Sequence, residues 1–186
     1  MMTLVVRLAT EQDIPSLKQL IPESARALSA GYYTDRQIES AIAHVFGVDS
    51  QLIEDGTYYV VVVDDLIVGC GGWSKRKTLY GGDQMKGEVD ELLDPTQDAA
   101  RIRAFFVHPD WARRGIGRRI IEACEAAARE EGFRSMELGA TLPGEPLYAA
   151  MGYTVTTRFD IVMPDGETLP AAHMVKSFAD AQEGTR

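Results

Sequence analysis

Residues 105–120 read Phe-Phe-Val-His-Pro-Asp-Trp-Ala-Arg-Arg-Gly-Ile-Gly-Arg-Arg-Ile. An apolar run meets a Pro/Asp turn. A loop with Arg113, Arg114 and Gly115 follows, and an amphipathic pattern opens at Ile116 and carries Gly117, Arg118 and Arg119. The first turn of a helix presents backbone N–H groups without intrahelical partners, together with the positive end of the helix dipole, and so suits an anion. Glycine at 115 and 117 lets the backbone approach a phosphate with no Cβ in the way. Guanidinium groups add forked donors for phosphate oxygens. Four cations at the positive end of a helix are unfavourable unless an anion compensates them. The implied chemistry is capture of a phosphate or pyrophosphate.

Two common phosphate loops are excluded. A P-loop needs Lys-Ser/Thr after its last glycine, and Arg118-Arg119 stands there instead. A dinucleotide fingerprint needs a third small residue at position 120, which is Ile120, and should open the domain rather than follow half of it. The net charge of −9 makes the arginine patch a local feature on an acidic body, which argues against nucleic acid as the main partner. Cys70 and Cys124 fall in a strand and on an apolar helix stripe, as small buried residues rather than a disulfide. The apolar run from Tyr58 is broken at Asp64-Asp65, too early to cross a bilayer. No membrane association is expected, and a cytoplasmic location is the default reading.

The elements that must position these residues follow from periodicity. Thr3–Leu8 reads as a strand, followed by a helix from about Glu11 with Ile14, Leu17, Leu20 and Ile21 on one face, bent or interrupted at Pro22. A second helix is expected over Asp35–Phe46, capped by Thr34 or Asp35 and stopped by Gly47. Thr57–Val63 and Leu66–Trp73 read as strands joined by a tight Asp64-Asp65 hairpin. Lys75–Asp98 reads as a long loop. Arg101–Val107 is a strand, Gly115 or Ile116 to Glu131 a helix, Ser135–Ala140 a strand and Pro146–Met151 a short helix. Tyr153–Met163 and Ala171–Ser177 close the pattern around Pro164-Asp165-Gly166. One domain over 1–178 is expected, with a frayed tail over 179–186.

This order, the strand end Phe106-Val107-His108-Pro109, the Arg/Gly loop and the segment Leu147-Tyr148-Ala149-Ala150-Met151-Gly152-Tyr153 together resemble the GNAT superfamily of N-acetyltransferases. Ala112 stands where the family loop, Q/R-x-x-G-x-G/A, has Gln or Arg. The resemblance implies an α/β (α+β) fold: a central mixed, mostly antiparallel sheet with helices on both faces, splayed between strands 4 and 5. It implies acetyl-coenzyme A as acyl donor, with no metal. The donor would be held by Phe105, Phe106, Val107, Arg113, Arg114, Gly115, Ile116, Gly117, Arg118, Arg119, Thr141 and Tyr148, and the main chain of Phe106 and Val107 would pair with the pantetheine amides.

The implied reaction is direct attack of an amine in a ternary complex. The Val107 N–H would polarise the thioester carbonyl and Tyr148 would protonate the leaving thiolate. Strand Arg101–Val107 lacks the acid that many relatives carry. The candidate bases are therefore Glu137, His173 and the acids of Glu88–Asp94, with His108 and His44 read as a turn residue and a structural residue. The expected acceptor is a small amine, cationic if the acidic surplus guides it, with Tyr32, Tyr33, Trp73 and Tyr80 as candidate pocket aromatics. The alternatives are acetylation of a protein N-terminus or lysine, and a non-catalytic acetyl-coenzyme A sensor. A homodimer is a candidate assembly, because relatives commonly form one.

Overall fold

The computed structural model describes residues 2–87 and 89–179. Seven strands form one sheet: β1 (Leu4–Leu8), β2 (Tyr58–Val63), β3 (Leu66–Ser74), β4 (Ala100–Val107), β5 (Ser135–Thr141), β6 (Thr154–Val162) and β7 (Thr168–Ser177). Their spatial order is β1-β2-β3-β4-β5-β7-β6. Every neighbouring pair is antiparallel except β4–β5, which is parallel. The helices are α1 (Ile14–Leu28), α2 (Asp35–His44), α3 (Ser50–Glu54), α4 (Ile116–Glu130) and α5 (Glu145–Ala150).

Local chemistry explains most of these elements. Tyr-Tyr-Val-Val-Val-Val in β2 is β-branched and aromatic, which suits a strand covered on both faces. Asp64 and Asp65 both take the left-handed conformation and close the β2–β3 hairpin in two residues, the geometry that matches strand twist. Thr34 caps α2: its hydroxyl accepts from the Gln37 N–H at 3.2 Å, and Gln37 accepts from the Thr34 N–H at 2.9 Å. The stripe Ile116, Ile120, Ile121, Cys124 and Ala128 buries α4 on one face of the sheet, against Val68, Ile102 and Met136. On the opposite face α1 buries Leu17, Leu20 and Ile21 against Tyr58, Val60 and Cys70. Ile38 and Ala41 of α2 pack there on Ile161 and Leu169. Both cysteines are free and buried.

Three expectations change. Pro22 does not interrupt α1, which runs through it. The residues on either side of the proline, Leu20, Ile21, Ser24 and Ala25, are buried, and fixing the two large ones offsets the ~3 kcal/mol that an internal proline costs. Helix α3 was not foreseen: Asp49 caps it by accepting from the Gln51 N–H at 3.2 Å. Strand β7 begins at Thr168 rather than Ala171. The expected frayed tail lies, from Asp180 on, outside the described residues.

Glycines of β3 shape its neighbour. A Cβ on Gly72 would sit 2.4 Å from the Thr57 carbonyl oxygen and 2.9 Å from the Tyr58 Cα, both backbone atoms that cannot swing aside. Gly72→Ala is therefore expected to lower stability by about 1–3 kcal/mol, read as a lower urea midpoint.

Candidate active site

The site begins with a bulge in β4. Cys70 pairs with Phe106 and Gly72 with Arg103, so Ala104 and Phe105 together face Gly71 alone. Ala104 takes φ +53, a region that side chains rarely adopt. Its carbonyl accepts from the buried Tyr58 hydroxyl at 2.8 Å, which holds the bulge in place. The bulge resets side-chain alternation. Ile102, Phe105 and Val107 join the core on the α4 side, and Ala104 and Phe106 that on the α1 side.

Strands β4 and β5 pair only at Ala100–Met136 and Arg101–Glu137, then part. The expected splay is present, and a cavity of about 560 Å³ opens there. Backbone groups of successive strand residues point to opposite edges. The His108 N–H donates to the Val68 carbonyl at 2.8 Å, so Phe106, two residues earlier and paired with Cys70, also turns its main chain toward β3. The Val107 main chain faces the open edge, and the partner of its N–H is the Ser24 hydroxyl of α1 at 3.1 Å. Of the two residues expected to pair with a ligand through the main chain, Val107 turns its main chain to the open edge, with its N–H on Ser24, and Phe106 turns its own toward β3; both line the cavity.

At one end of the cavity stands the N-terminus of α4. Gly115, its N-cap, has φ +79, and a Cβ there would meet nothing within 4 Å. Its glycine is a matter of backbone conformation. Gly117 is different: a Cβ would lie 2.6 Å from Leu147 Cδ2, so this glycine lets α5 pack on α4. Arg113 holds φ +59. Arg113, Gly115, Ile116, Gly117 and Arg118 line the cavity, as do Phe105, Thr141 and Tyr148. Arg114 and Arg119 do not line it; the Arg114 guanidinium lies 4.9 Å from the Trp111 ring centre instead. The free N–H groups of the first α4 turn fit a phosphate anion. We expect Arg118→Ala to weaken coenzyme A binding about tenfold by calorimetry, the loss of one charged hydrogen bond, with the difference shrinking as salt is added.

Tyr148, on α5, is buried between Phe105 and Tyr153, with both ring centres 6.0 Å away in edge-on packing. Tyr148 also lines the cavity. Burial pushes the phenol well above its ordinary value of about 10, so it stays protonated.

The candidate base Glu137 is placed elsewhere. It lies where β4 and β5 are still paired, outside the cavity lining. There it forms an ion pair with Arg101, and its second oxygen meets His173 Nε2 at 3.0 Å. His173 in turn contacts the Thr156 hydroxyl, and neither lines the cavity. The other acids are committed as well. Asp90 accepts from the Thr78 N–H, Glu91 pairs with Lys77, and Asp94 accepts from Thr96; Glu88 lies outside the described residues. His108 caps the turn at 109–111, and His44 stands 3.9 Å from Asp165.

The anchoring of the far wall was not foreseen. Arg103, buried on the α1 side of β4, donates to Asp49 Oδ2 at 2.9 Å, to the Thr78 carbonyl at 3.1 Å and to the Gly81 carbonyl. Lys86 also pairs with Asp49. These contacts fasten the loop 75–98, so that Leu79, Tyr80, Gly81 and Gly82 form a fixed wall. Tyr80 stacks on Phe159 at 5.7 Å. Tyr32 lines the cavity, whereas Tyr33 bridges the Leu142 N–H and the Pro170 carbonyl, and Trp73 is core. A sequence signal for Arg103 existed: it is one of two arginines, with Arg101, in an otherwise apolar strand.

Sequence comparison bears on this geometry. The family model for the Acetyltransferase (GNAT) domain matches residues 54–155, more than half of the chain, and spans the bulge, the arginine loop and Tyr148. The chain belongs to the GNAT acetyltransferase family. Solved GNAT structures share the fold throughout. A GCN5-related N-acetyltransferase from Rhodopseudomonas palustris is 22% identical with a TM-score of 0.70, over 95% of this chain and 96% of the other. The putative acetyltransferase yncA from Salmonella typhimurium, solved with acetyl-CoA, is 16% identical with a TM-score of 0.63, over 96% of each chain. The PaiA N-acetyltransferase from Thermoplasma acidophilum, solved with coenzyme A, is 13% identical with a TM-score of 0.64, over 95% of this chain and 99% of the other. A search of curated proteins found no match. No helix among the described residues is long and apolar enough to cross a membrane.

Proposed function

We propose that this GNAT chain is one catalytic domain over 1–178 that transfers the acetyl group of acetyl-coenzyme A to the amine of a small molecule, by direct attack in a ternary complex in the cytoplasm. The observation that carries the reading is convergence. Val107 on the open edge of β4, Tyr148 and the first turn of α4 all line one cavity. The α4 turn with Arg113 and Arg118 holds the pyrophosphate. On this reading the Val107 N–H exchanges the Ser24 hydroxyl for the thioester oxygen, which gains charge as the thioester is attacked. Tyr148 gives the departing sulfur its proton.

A small acceptor is favoured over a protein because Arg103 and Asp49 pin the 79–82 wall across the end away from α4. A groove for a peptide would need that end open. Catalysis is favoured over sensing because a pure binder has no use for a protonated phenol on the cavity wall. The test is calorimetric binding of acetyl-coenzyme A alongside thiol release over a panel of amines. Binding with release on small amines is expected. No binding of acetyl-coenzyme A would overturn the reading.

A further inference from the structure

The acceptor end of the cavity, away from α4, is built from Leu28 of α1, Tyr32, Phe46, Leu79 and Tyr80 of loops, and Ile161 of β6. Charged or titratable side chains facing the whole cavity are Tyr32, Tyr80, Arg103, Arg113, Arg118 and Tyr148. Among the described residues none of those lining it is an aspartate, glutamate, histidine or lysine. The acids around it are engaged: Asp49 with Arg103 and Lys86, Glu145 with Arg158, and Glu137 with Arg101 and His173. An alkylammonium entering this end loses its water among apolar walls, and no carboxylate replaces that water. Nor does a base wait to take its proton. At pH 7 an amine with a pKa of about 10 is neutral in only roughly one molecule in 10³.

Resting on the acetyl-transfer reading, we infer that the acceptor is an amine that is uncharged at neutral pH and carried on an apolar ring: an arylamine, not an alkylamine or polyamine. The proton balance agrees. The nitrogen lone pair forms the C–N bond to the thioester carbonyl carbon. The C–S bond breaks with its electron pair on sulfur. One N–H proton moves to that sulfur through the Tyr148 hydroxyl, which gives its own proton and takes the nitrogen's. A neutral amine thus closes the exchange within the cavity, giving an amide and a thiol. An ammonium carries one proton more, with no group on these walls to receive it. This reverses the cationic acceptor that net charge had pointed to: the acidic surplus lies outside this cavity.

The test compares aniline with benzylamine, two ring amines of similar size and different basicity, by thiol release from acetyl-coenzyme A between about pH 6 and pH 8. Aniline is expected to turn over at a rate flat with pH. Benzylamine is expected to be at least about tenfold slower at pH 7, with kcat/KM rising tenfold per pH unit as its neutral fraction grows. Tyr32→Glu, which adds a carboxylate at a half-exposed wall position, is expected to shift the ratio toward benzylamine. Turnover of benzylamine or a polyamine with a pH-flat rate overturns the inference, as does acetyl-coenzyme A binding with no release on aniline. Failure of acetyl-coenzyme A to bind overturns the acetyl-transfer reading itself, which separates the two.

Discussion

Asp49→Ala is expected to destabilise the protein by about 3–5 kcal/mol, the usual result of leaving one partner of a buried ion pair without its counter-charge. Asp49 is fully buried, and the Arg103 side chain is 1% exposed. One carboxylate does three things at once: it caps α3 through the Gln51 N–H, neutralises Arg103 and receives Lys86 from the long loop. Burial pulls the Arg103 pKa down, and Asp49 opposes that pull. With Asp49 gone, Arg103 keeps the Thr78 and Gly81 carbonyls, which are dipoles and not charges. Urea unfolding reads the loss directly. Asp49→Asn, which retains the cap, should lose less. Asp49→Ala combined with Arg103→Met should recover part of the loss, because an apolar replacement of both partners removes the uncompensated charge. A midpoint unmoved by Asp49→Ala would show that water, not the pair, solvates Arg103.

Tyr148→Phe is expected to lower kcat by about 10²-fold while leaving the KM for acetyl-coenzyme A little changed. Phenylalanine keeps the edge-on packing with Phe105 and Tyr153 and deletes only the hydroxyl. The raised phenol pKa keeps Tyr148 protonated, with a proton to give, at every working pH. It also poses a matching problem, since a free thiol near 8.5 is too weak a base to take a proton from such a phenol. Burial narrows the mismatch, because it acts on the sulfur as well as on the phenol. A thiolate leaving among apolar walls loses water and becomes a stronger base. The kcat–pH profile should therefore show no limb from Tyr148 across the neutral range. Unchanged kcat in the phenylalanine variant, at a pH where chemistry limits turnover, would remove the hydroxyl from the reaction.

The sheet and most of its helices are legible in the sequence because local chemistry dictates them. Two left-handed aspartates specify a hairpin, a 3.6-residue stripe specifies α4, and the glycine and arginines that open α4 specify an anion site, all within a few residues of one another. The resemblance carried by Phe106–Pro109, the arginine loop and Leu147–Tyr153 placed the splay correctly, because those segments are short and sequential. Pro22 misled because a local rule was overridden by burial on either side of it. What only the tertiary structure decided are relations across long separations. Ser24 meets the Val107 N–H 83 residues away, and Asp49 meets Arg103 54 residues away. Glu137, sensible as a base in sequence, is turned away by a register that pairs it with Arg101 before the strands part. Strand alternation gives a side chain's parity, but only the packed sheet decides which cavity, if any, that side faces.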